Sequence, residues 1–425
     1  MRILLVTPMP PDRGAAGAIP PLLHAELTGL RERHDVTLVT VAGPDPDELD
    51  AVDRLRRDGV DVHATVRTLK RGTLGWRRRS RIASAWLGGR VPLRTAWFAE
   101  PEIQTTIDAL AAKRRFDVVV VEDNAMAAFR LPPALAAVLT EYEVRRPRSI
   151  ELPPRAPRAW PKWALSEVDW RRWPAYQRDV WRRFDAVQVF TQRDAAAIAT
   201  LAPELVDRVR VNPFAIDLPA PDDVPEEPDT MLFAGNYTHP PNVDAALWLG
   251  RDILPRVARL HPRVQLVIVG PYAPQEVRSL DGPHVRFLGR VPDLDLLMGR
   301  AAVVMAPVRI GGGMRMKVLH AMALGKPVIT TPRGAEGLGG DGTPAPLEIG
   351  EDADALARAA VRMLRDADAR RRLGARARAY VETHHSPRAY VVRIERVLAD
   401  ALAARTLTDA TASARASAEQ GRGRP

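Results

Sequence analysis

Short unbroken apolar runs recur along this chain, each followed by enough residues for a loop and a helix. In the first half they are ILLVT (3–7), VTLVTV (36–41), FDVVVVED (116–123) and FDAVQVFT (184–191). Runs without polar alternation predict strands covered on both faces, the condition of a parallel sheet flanked by helices. The spacing fits: a proline- and glycine-rich loop over 8–17 and a helix over 19–33 separate the first two runs, giving a β-loop-α-β unit. The pattern starts again after PAPDDVPEEPD (219–229), an acidic, proline-bearing stretch composed like a domain boundary. Beyond it come MLFAG (231–235), VQLVIVG (264–270), VRFLG (285–289), AAVVMAP (301–307) and PVITT (327–331).

The fold class is therefore α/β, with two Rossmann-like parallel domains over 1–215 and 228–385. A terminal helix over 386–404 is placed to pack back on the first domain. The tail over 405–425, nearly free of large apolar residues, reads as disordered. Two such domains of similar size predict a central cleft in which strand C-termini from both sides face one ligand.

Composition narrows the chemistry. With 0 cysteines among 425 residues, there is no thiolate nucleophile, disulfide or cysteine-built metal centre, and nothing calls for an oxidising compartment. No stretch reaches the roughly 18 apolar residues of a membrane span, and the first apolar run is too short for a secretory signal and meets Pro8, Pro10 and Pro11. A cytoplasmic protein is expected. The net charge of +10 favours an anionic partner, without choosing among nucleic acid, lipid and phosphorylated substrate. Only five of the 62 basic residues are lysines, so an isolated lysine stands out.

One such lysine lies in RIGGGMRMKVLHAMALGKPVITTPRGAEGL (309–338), just past the run AAVVMAP. Glycines 311–313 open a helix there. Glycine lets backbone approach a ligand closely, and free N–H groups with the positive end of a helix dipole favour an anion such as phosphate. The helix is expected to end at Gly325, with Pro327 past the stop. Lys317 and His320, three apart, share a face, whereas Arg315 and Lys317 are about 200° apart. Lys317 and His320 can thus serve one ligand, and Arg315, in the first turn, is the weaker candidate. The plainer reading is a tight turn beside a solvated lysine.

These residues resemble the donor-site signature of the family four (group 1) retaining glycosyltransferases, which have the two-domain GT-B fold. FAGNYTHPPNVDAALWL (233–249), VRFLGRVPD (285–293) and GAEGL (334–338) are similar to successive blocks of that family's C-terminal domain. PMPPDRGAAGAI, VLTEYEVR and WRRFDAVQVFTQRDAAAI resemble its N-terminal half more loosely. The resemblance implies that Gly14 and Gly17 face the donor diphosphate from the N-domain and that Gly235 and Asn236 open the matching C-domain loop. It also implies that backbone at Arg290 and Val291 reads the nucleotide base, and that Gly311, Gly312, Gly313, Arg315 and Lys317 lie at the sugar and diphosphate.

Two departures stand out. The family usually carries a Glu, seven residues and a second Glu, where this chain has Gly312 and His320. A histidine can hydrogen-bond the ribose diol but brings no fixed negative charge. Family members also often place Arg and Lys after the first C-domain strand, where Asn236, Tyr237, Thr238 and His239 stand here. Arg315 and Lys317 are then the cations left to offset a leaving diphosphate. In the N-domain, Glu122 and Asp123 follow a strand where many relatives have a histidine near the reacting sugar. Glu122 is the candidate, its plainer reading a loop acid or helix cap.

Other patterns are decoys. Asp293-Leu294-Asp295 matches a metal-binding Asp-x-Asp but follows Pro292 and opens an apolar helix, so Asp293 is read as a cap. His384 and His385 point apart on a helix. No metal and no cofactor are predicted beyond a nucleotide sugar as substrate. The stretch 67–98 carries nine Arg or Lys residues with Trp76, Trp86, Trp97 and Phe98 and no acid. It suits an anionic membrane surface, or else a solvated basic face with core tryptophans; no nucleic-acid module accompanies it.

The expected activity is metal-independent transfer of a sugar, with retention, from a nucleotide sugar to a saccharide, lipid or small-molecule acceptor held by the N-domain. Alternatives are a sugar-nucleotide epimerase or hydrolase of the same fold, a catalytically silent nucleotide-sugar binder, and a basic nucleic-acid binder.

Overall fold

The computed structural model describes residues 1–422 except 16, 68–72, 90, 133–134, 147–159, 220–223, 312–314 and 340–341, with side chains at 73, 74, 162, 409 and 412–422 also outside the description. The chain divides into two compact units. The first is Met1–Asn212 with Val391–Pro425, the second Pro213–Tyr390.

The first unit holds β1 (Arg2–Thr7), β2 (Asp35–Ala42), β3 (Asp61–Val66), β4 (Val118–Glu122), β5 (Ala136–Glu141), β6 (Ala186–Val189) and β7 (Val209–Val211). They form one sheet in the order β3-β2-β1-β4-β5-β6-β7, every pairing parallel. The second unit holds β8 (Glu227–Ala234), β9 (Gln265–Val269), β10 (Val285–Gly289), β11 (Ala301–Ala306), β12 (Val328–Thr330) and β13 (Glu348–Ile349), ordered β10-β9-β8-β11-β12-β13 and again parallel.

The apolar runs explain the layers. Successive side chains of a strand point to opposite faces. Leu4 and Val6 enter one core with Val119, Val121 and Leu139, while Ile3 and Leu5 enter the other with Val118, Val120 and Val138. Met231 and Phe233 divide in the same way from Leu232 and Ala234 in the second unit. Each such buried side chain contributes about 1.5–3 kcal/mol, and the polar residues that these runs bury, Thr37, Thr40 and Gln188, are hydrogen-bonded.

The second face of β1 is covered from far along the chain. In the helix Pro387–Arg422, Val391, Ile394, Val397, Leu398 and Ala401 recur at helical spacing and pack with Ile3, Leu5, Leu27 and Leu30. Gly29 permits this approach, since a Cβ there would lie 2.5 Å from Val391 Cγ2. This helix also corrects an expectation: the segment read as a disordered tail from 405 is helical up to Arg422. Its lack of apolar residues argues only against burial, whereas Ala, Arg, Glu and Gln favour helix without it. No helix among the described residues is long and apolar enough to cross a membrane.

Candidate functional site

In a doubly wound parallel sheet, strands on either side of the point where the order reverses send their loops apart and leave a crevice at their C-terminal ends. In the second unit that point lies between β8 and β11. The loop after β8 starts at Gly235, whose N–H donates to the Val269 carbonyl (3.0 Å) at the end of β9. Gly270 follows with φ +141°, and a Cβ there would sit 1.7 Å from the Gly235 oxygen, so no other residue fits without moving that loop.

Asn236 then turns the chain: its Oδ1 accepts from the Thr238 N–H (3.0 Å) and Oγ1 (2.8 Å). Pro240 and Pro241, pre-set for helical φ, start the helix Pro240–Trp248. Asn242 in its first turn returns to the loop, Nδ2 donating to the Asn236 carbonyl (2.7 Å). Its side chain packs at 3.0 Å from where a Gly235 Cβ would stand.

The loop after β11 meets this one. Gly311 has φ +94°, and a Cβ on it would press on Pro241 at 2.8 Å. Arg315 is buried and turns back, Nη2 donating to the Gly311 carbonyl (3.0 Å). The helix Met316–Ala323 follows and stops at Gly325, φ +69°, as its sequence predicts. Lys317, half-buried in the first turn, donates from Nζ to Asn242 Oδ1 (2.6 Å) and lies 4.5 Å from the Phe233 ring centroid. Burial, and then the nearby Arg315 charge, push the Lys317 ammonium down to about 7. An anion arriving here would restore its charge.

Lys317 and His320 share the helix face but engage different neighbours. His320 Nε2 lies 2.8 Å from Asp295 Oδ1, on the helix Leu294–Arg300, with side-chain exposures of 27% and 44%. The Asp-x-Asp triplet thus divides its roles, because Asp293 caps that helix by accepting from the Leu296 N–H (2.9 Å). Arg290 is exposed after β10, and Val291 packs partly on the core. Gly312 and Gly313 lie outside the described residues. Among the described residues no group of three His, Asp or Glu is placed to hold a metal ion. His385 is buried, with ring nitrogens 2.8 Å from the Phe214 carbonyl and 3.2 Å from that of Leu338.

In the first unit the reversal lies between β1 and β4. The Gly14 N–H donates to Asp12 Oδ1 (3.2 Å), and Gly17 has φ +101° with open space where a Cβ would be. Glu122 ends β4 at 0% exposure, turned into the sheet. It starts a buried row across the strands: Thr140 Oγ1 donates to Glu122 Oε1 (2.6 Å), Gln188 Nε2 to Thr140 Oγ1 (3.2 Å), Asn212 Nδ2 to Gln188 Oε1 (3.0 Å), and Arg393 Nε to Asn212 Oδ1 (2.7 Å). Desolvation, against hydrogen bonds from Thr140 and Tyr142, raises Glu122 to about 7. Glu141, at the end of β5, is raised to about 8 by burial although Asn124 Nδ2 (2.7 Å) and Trp181 Nε1 (2.9 Å) donate to it. Asp123, buried with φ +73°, accepts from Arg94 and from the Ala125 N–H (3.0 Å).

The structure thus brings Lys317, Arg315, Gly311, Gly235 and Asn236 together in one unit and sets Gly14, Gly17 and Glu122 in the other. Sequence reading missed Asn242, Phe233, Asp295 and Arg94. For Asn242 a signal existed: a polar side chain right after two prolines that fix a helix start.

Comparison with known proteins agrees with this geometry. Residues 228–366 match the family model described as glycosyl transferases group 1. The phosphatidyl-myo-inositol mannosyltransferase of Mycolicibacterium smegmatis is 34% identical over 176 residues, which span 40% of this chain and 45% of that protein, less than half of its length. Among solved structures, Anabaena HepE in complex with UDP and glucose aligns with TM-score 0.60 at 15% identity, over 93% of this chain and 99% of that one. Sucrose-phosphate synthase from Thermosynechococcus elongatus aligns with TM-score 0.63 at 17% identity, over 95% and 100%. These two share the fold, a pair of parallel α/β units of the GT-B type. Over residues 228–366, in the unit that carries the glycine loops and Lys317, the chain is similar to the glycosyl transferases of group 1.

Proposed function

We propose that this protein transfers a glycosyl group from a nucleotide sugar, held by the second unit, to a saccharide, lipid or small-molecule acceptor held by the first. The transfer retains anomeric configuration and needs no metal. The bond between the anomeric carbon and the diphosphate breaks, and a bond to an acceptor hydroxyl forms on the same face. Negative charge develops on the leaving diphosphate, and the role of the site is to offset it.

The observation that carries this reading is Lys317: an ammonium withdrawn from water, fixed by Asn242, beside a glycine loop whose packing leaves no room for side chains. Arg315, tied to the Gly311 carbonyl, supplies the second cation, and the amides that open the helix add their dipoles. The His320–Asp295 pair joins a diol hydrogen-bonding ring to a carboxylate, which supports ribose recognition. UDP and glucose in the Anabaena HepE structure and the mannosyltransferase relative support the donor class, and the relative's name supports a lipid-linked acceptor. The helix Thr73–Leu87 presents Trp76, Arg77, Arg79 and Leu87 outward, which supports peripheral contact of a cytoplasmic protein with an anionic membrane face.

A thermal-shift panel of UDP-, GDP-, ADP- and TDP-sugars tests the donor, since a ligand bound only by the native state stabilises it. Turnover with the best donor follows, with product configuration read by NMR and chelator added. We expect Lys317→Ala to weaken donor binding and to lower turnover about 100-fold or more. Unchanged turnover in that variant would remove the reading's main support.

A further inference from the structure

His385 stands where three segments of the second unit meet. It is buried and caps the C-terminal end of the helix Ala367–His384. Its Nδ1 lies 2.8 Å from the carbonyl of Phe214, in the segment that opens the unit, and its own carbonyl accepts from the Ile216 N–H there (2.8 Å). Its Nε2 lies 3.2 Å from the carbonyl of Leu338, at the end of the loop that follows β12. The Tyr380 hydroxyl, on the same helix, donates to that carbonyl as well.

A carbonyl oxygen can only accept. Neutral imidazole has one N–H, so it satisfies one of the two carbonyls and turns a lone pair on the other, whereas the imidazolium donates to both. Burial opposes the charge. Two carbonyl dipoles aimed at the ring offset that cost, and so does the negative end of the 18-residue helix that His385 caps. The titratable and charged groups on the elements packed around it include Asp217 on the opening segment and Arg333 with Glu336 in the loop, ion-paired at 3.1 Å. On the helix they are Tyr380, its ring centroid 5.7 Å from that of His385, His384, and Arg378 with Glu382, ion-paired at 2.5 Å. Beyond the helix come exposed Arg388 and buried Tyr390. Two of the three acids are thus matched by arginines, and backbone oxygens face the histidine nitrogens.

The loop that His385 holds runs to the cations of this unit. At its start, Thr331 Oγ1 donates to the Val308 carbonyl and accepts from the Gly334 N–H (3.0 Å). Between these ends the Arg333 carbonyl lies 3.5 Å from Arg315 Nε. Gly334 leaves no slack, since a Cβ there would stand 2.0 Å from Thr330 Oγ1 and 3.0 Å from the Ala306 carbonyl oxygen. The helix that ends at His385 also carries the helix Met316–Ala323: a Cβ on Gly374 would fall 1.9 Å from the Gly325 oxygen, and Arg378 donates to the Ala323 carbonyl. A shift at His385 therefore reaches Arg315 by two routes.

We propose that His385 is held as an imidazolium that donates to Phe214 and Leu338 together, and that it is a positioning residue for the loop meeting Arg315, which loosens when the ring loses its proton. The protonation stands on this geometry. Its consequence for Arg315 rests on the donor reading above.

The full chain, labelled with nitrogen-15 in histidine and carbon-13 in the phenylalanine and leucine carbonyls, is titrated by NMR without ligand. Couplings across the hydrogen bonds to the Phe214 and Leu338 carbonyls identify the ring. Both ring nitrogens of His385 should carry protons up to about pH 8, where a histidine of ordinary pKa, about 6.5, is neutral. Above that pH, amide exchange over 334–338 should accelerate beyond its ordinary rise. His385→Phe, a ring without donors, should show the fast exchange throughout and weaken nucleotide-sugar binding, measured near pH 6, about tenfold. His385→Gln, which can donate to one carbonyl, should fall between. Should both variants fail to fold, the wild-type titration still decides. One N–H on the His385 ring near pH 7 overturns the proposal, as does equal loop exchange in the wild type and His385→Phe. Faster exchange in His385→Phe with unchanged donor affinity overturns the positioning role. A doubly protonated ring in a chain that binds no nucleotide sugar sinks the donor reading and leaves the imidazolium standing.

Discussion

The two units share one strand order and differ in what they place at its reversal. In the second unit the backbone does most of the positioning. Gly270 and Gly311 bring loops together at distances that a Cβ would force apart, Gly235 sits tight against Asn242, and one lysine supplies a titrating charge. The same place in the first unit is crowded with side chains: Glu122, Asp123 and Glu141 are buried, and arginines stand over them. Topology therefore fixes where a ligand can be met, while local packing decides whether it meets bare amides or opposed charges. A rigid backbone cradle suits a ligand part common to many donors, and a charged side-chain edge suits one that varies.

The sharpest way to break this contrast is to add one methyl group to each half. Gly270→Ala forces a Cβ onto the Gly235 carbonyl and should cost at least about 3 kcal/mol of stability together with donor affinity. Gly17→Ala meets only its left-handed backbone and should cost about 1 kcal/mol. Urea unfolding of both variants checks this, and equal losses would dissolve the distinction.

A pH series tests the buried acids next. Glu122 is raised in the folded state, so the native protein holds a proton that the unfolded chain has released. Its stabilising contribution is full below about 4.5 and is lost as pH rises through about 7. In Glu122→Gln, which retains an acceptor for Thr140, this part of the decline should vanish, a change on the order of 2 kcal/mol between those limits. A decline of unaltered slope in the variant would place the titration elsewhere.

Lys317 predicts a smaller effect of the other origin. Its free amine is half-protonated near pH 7, and a bound diphosphate favours the charged form, so donor binding takes up a proton above that pH. Donor affinity should fall with rising pH by up to about tenfold per unit, beginning near 7. Asn242→Ala should move the onset, and Lys317→Ala should abolish it. Calorimetry in buffers of different ionisation enthalpy reads the proton count directly.

Much of the fold was legible because continuous apolar runs have few other uses. The strands that escaped were β3, half-buried with Asp61, His63 and Thr65 in its six residues, β5 (Ala136–Glu141), β7, which has three residues, and β13, which has two. Of the site, the glycine loop, Lys317, its helix stop and the Asp293 cap were readable from local spacing. The partners were not, since Asn242 is 75 residues from Lys317 and Arg94 is 29 from Asp123, and no periodicity encodes a contact made by tertiary packing. Of the basic stretch, only the composition was legible. Composition counts cations equally, whereas Arg78 and Arg81 are spent on Glu100 and Arg77 and Arg79 remain outside.

The helix at the end of the chain gives the molecule an order of assembly. Ile3 and Leu5 leave the ribosome before any of the second unit, yet the side chains that shelter them, Ile394 and Leu398, emerge only after the whole of it. The unit begun first is completed last, so during synthesis its uncovered face must wait while its younger neighbour, continuous in sequence, is free to finish.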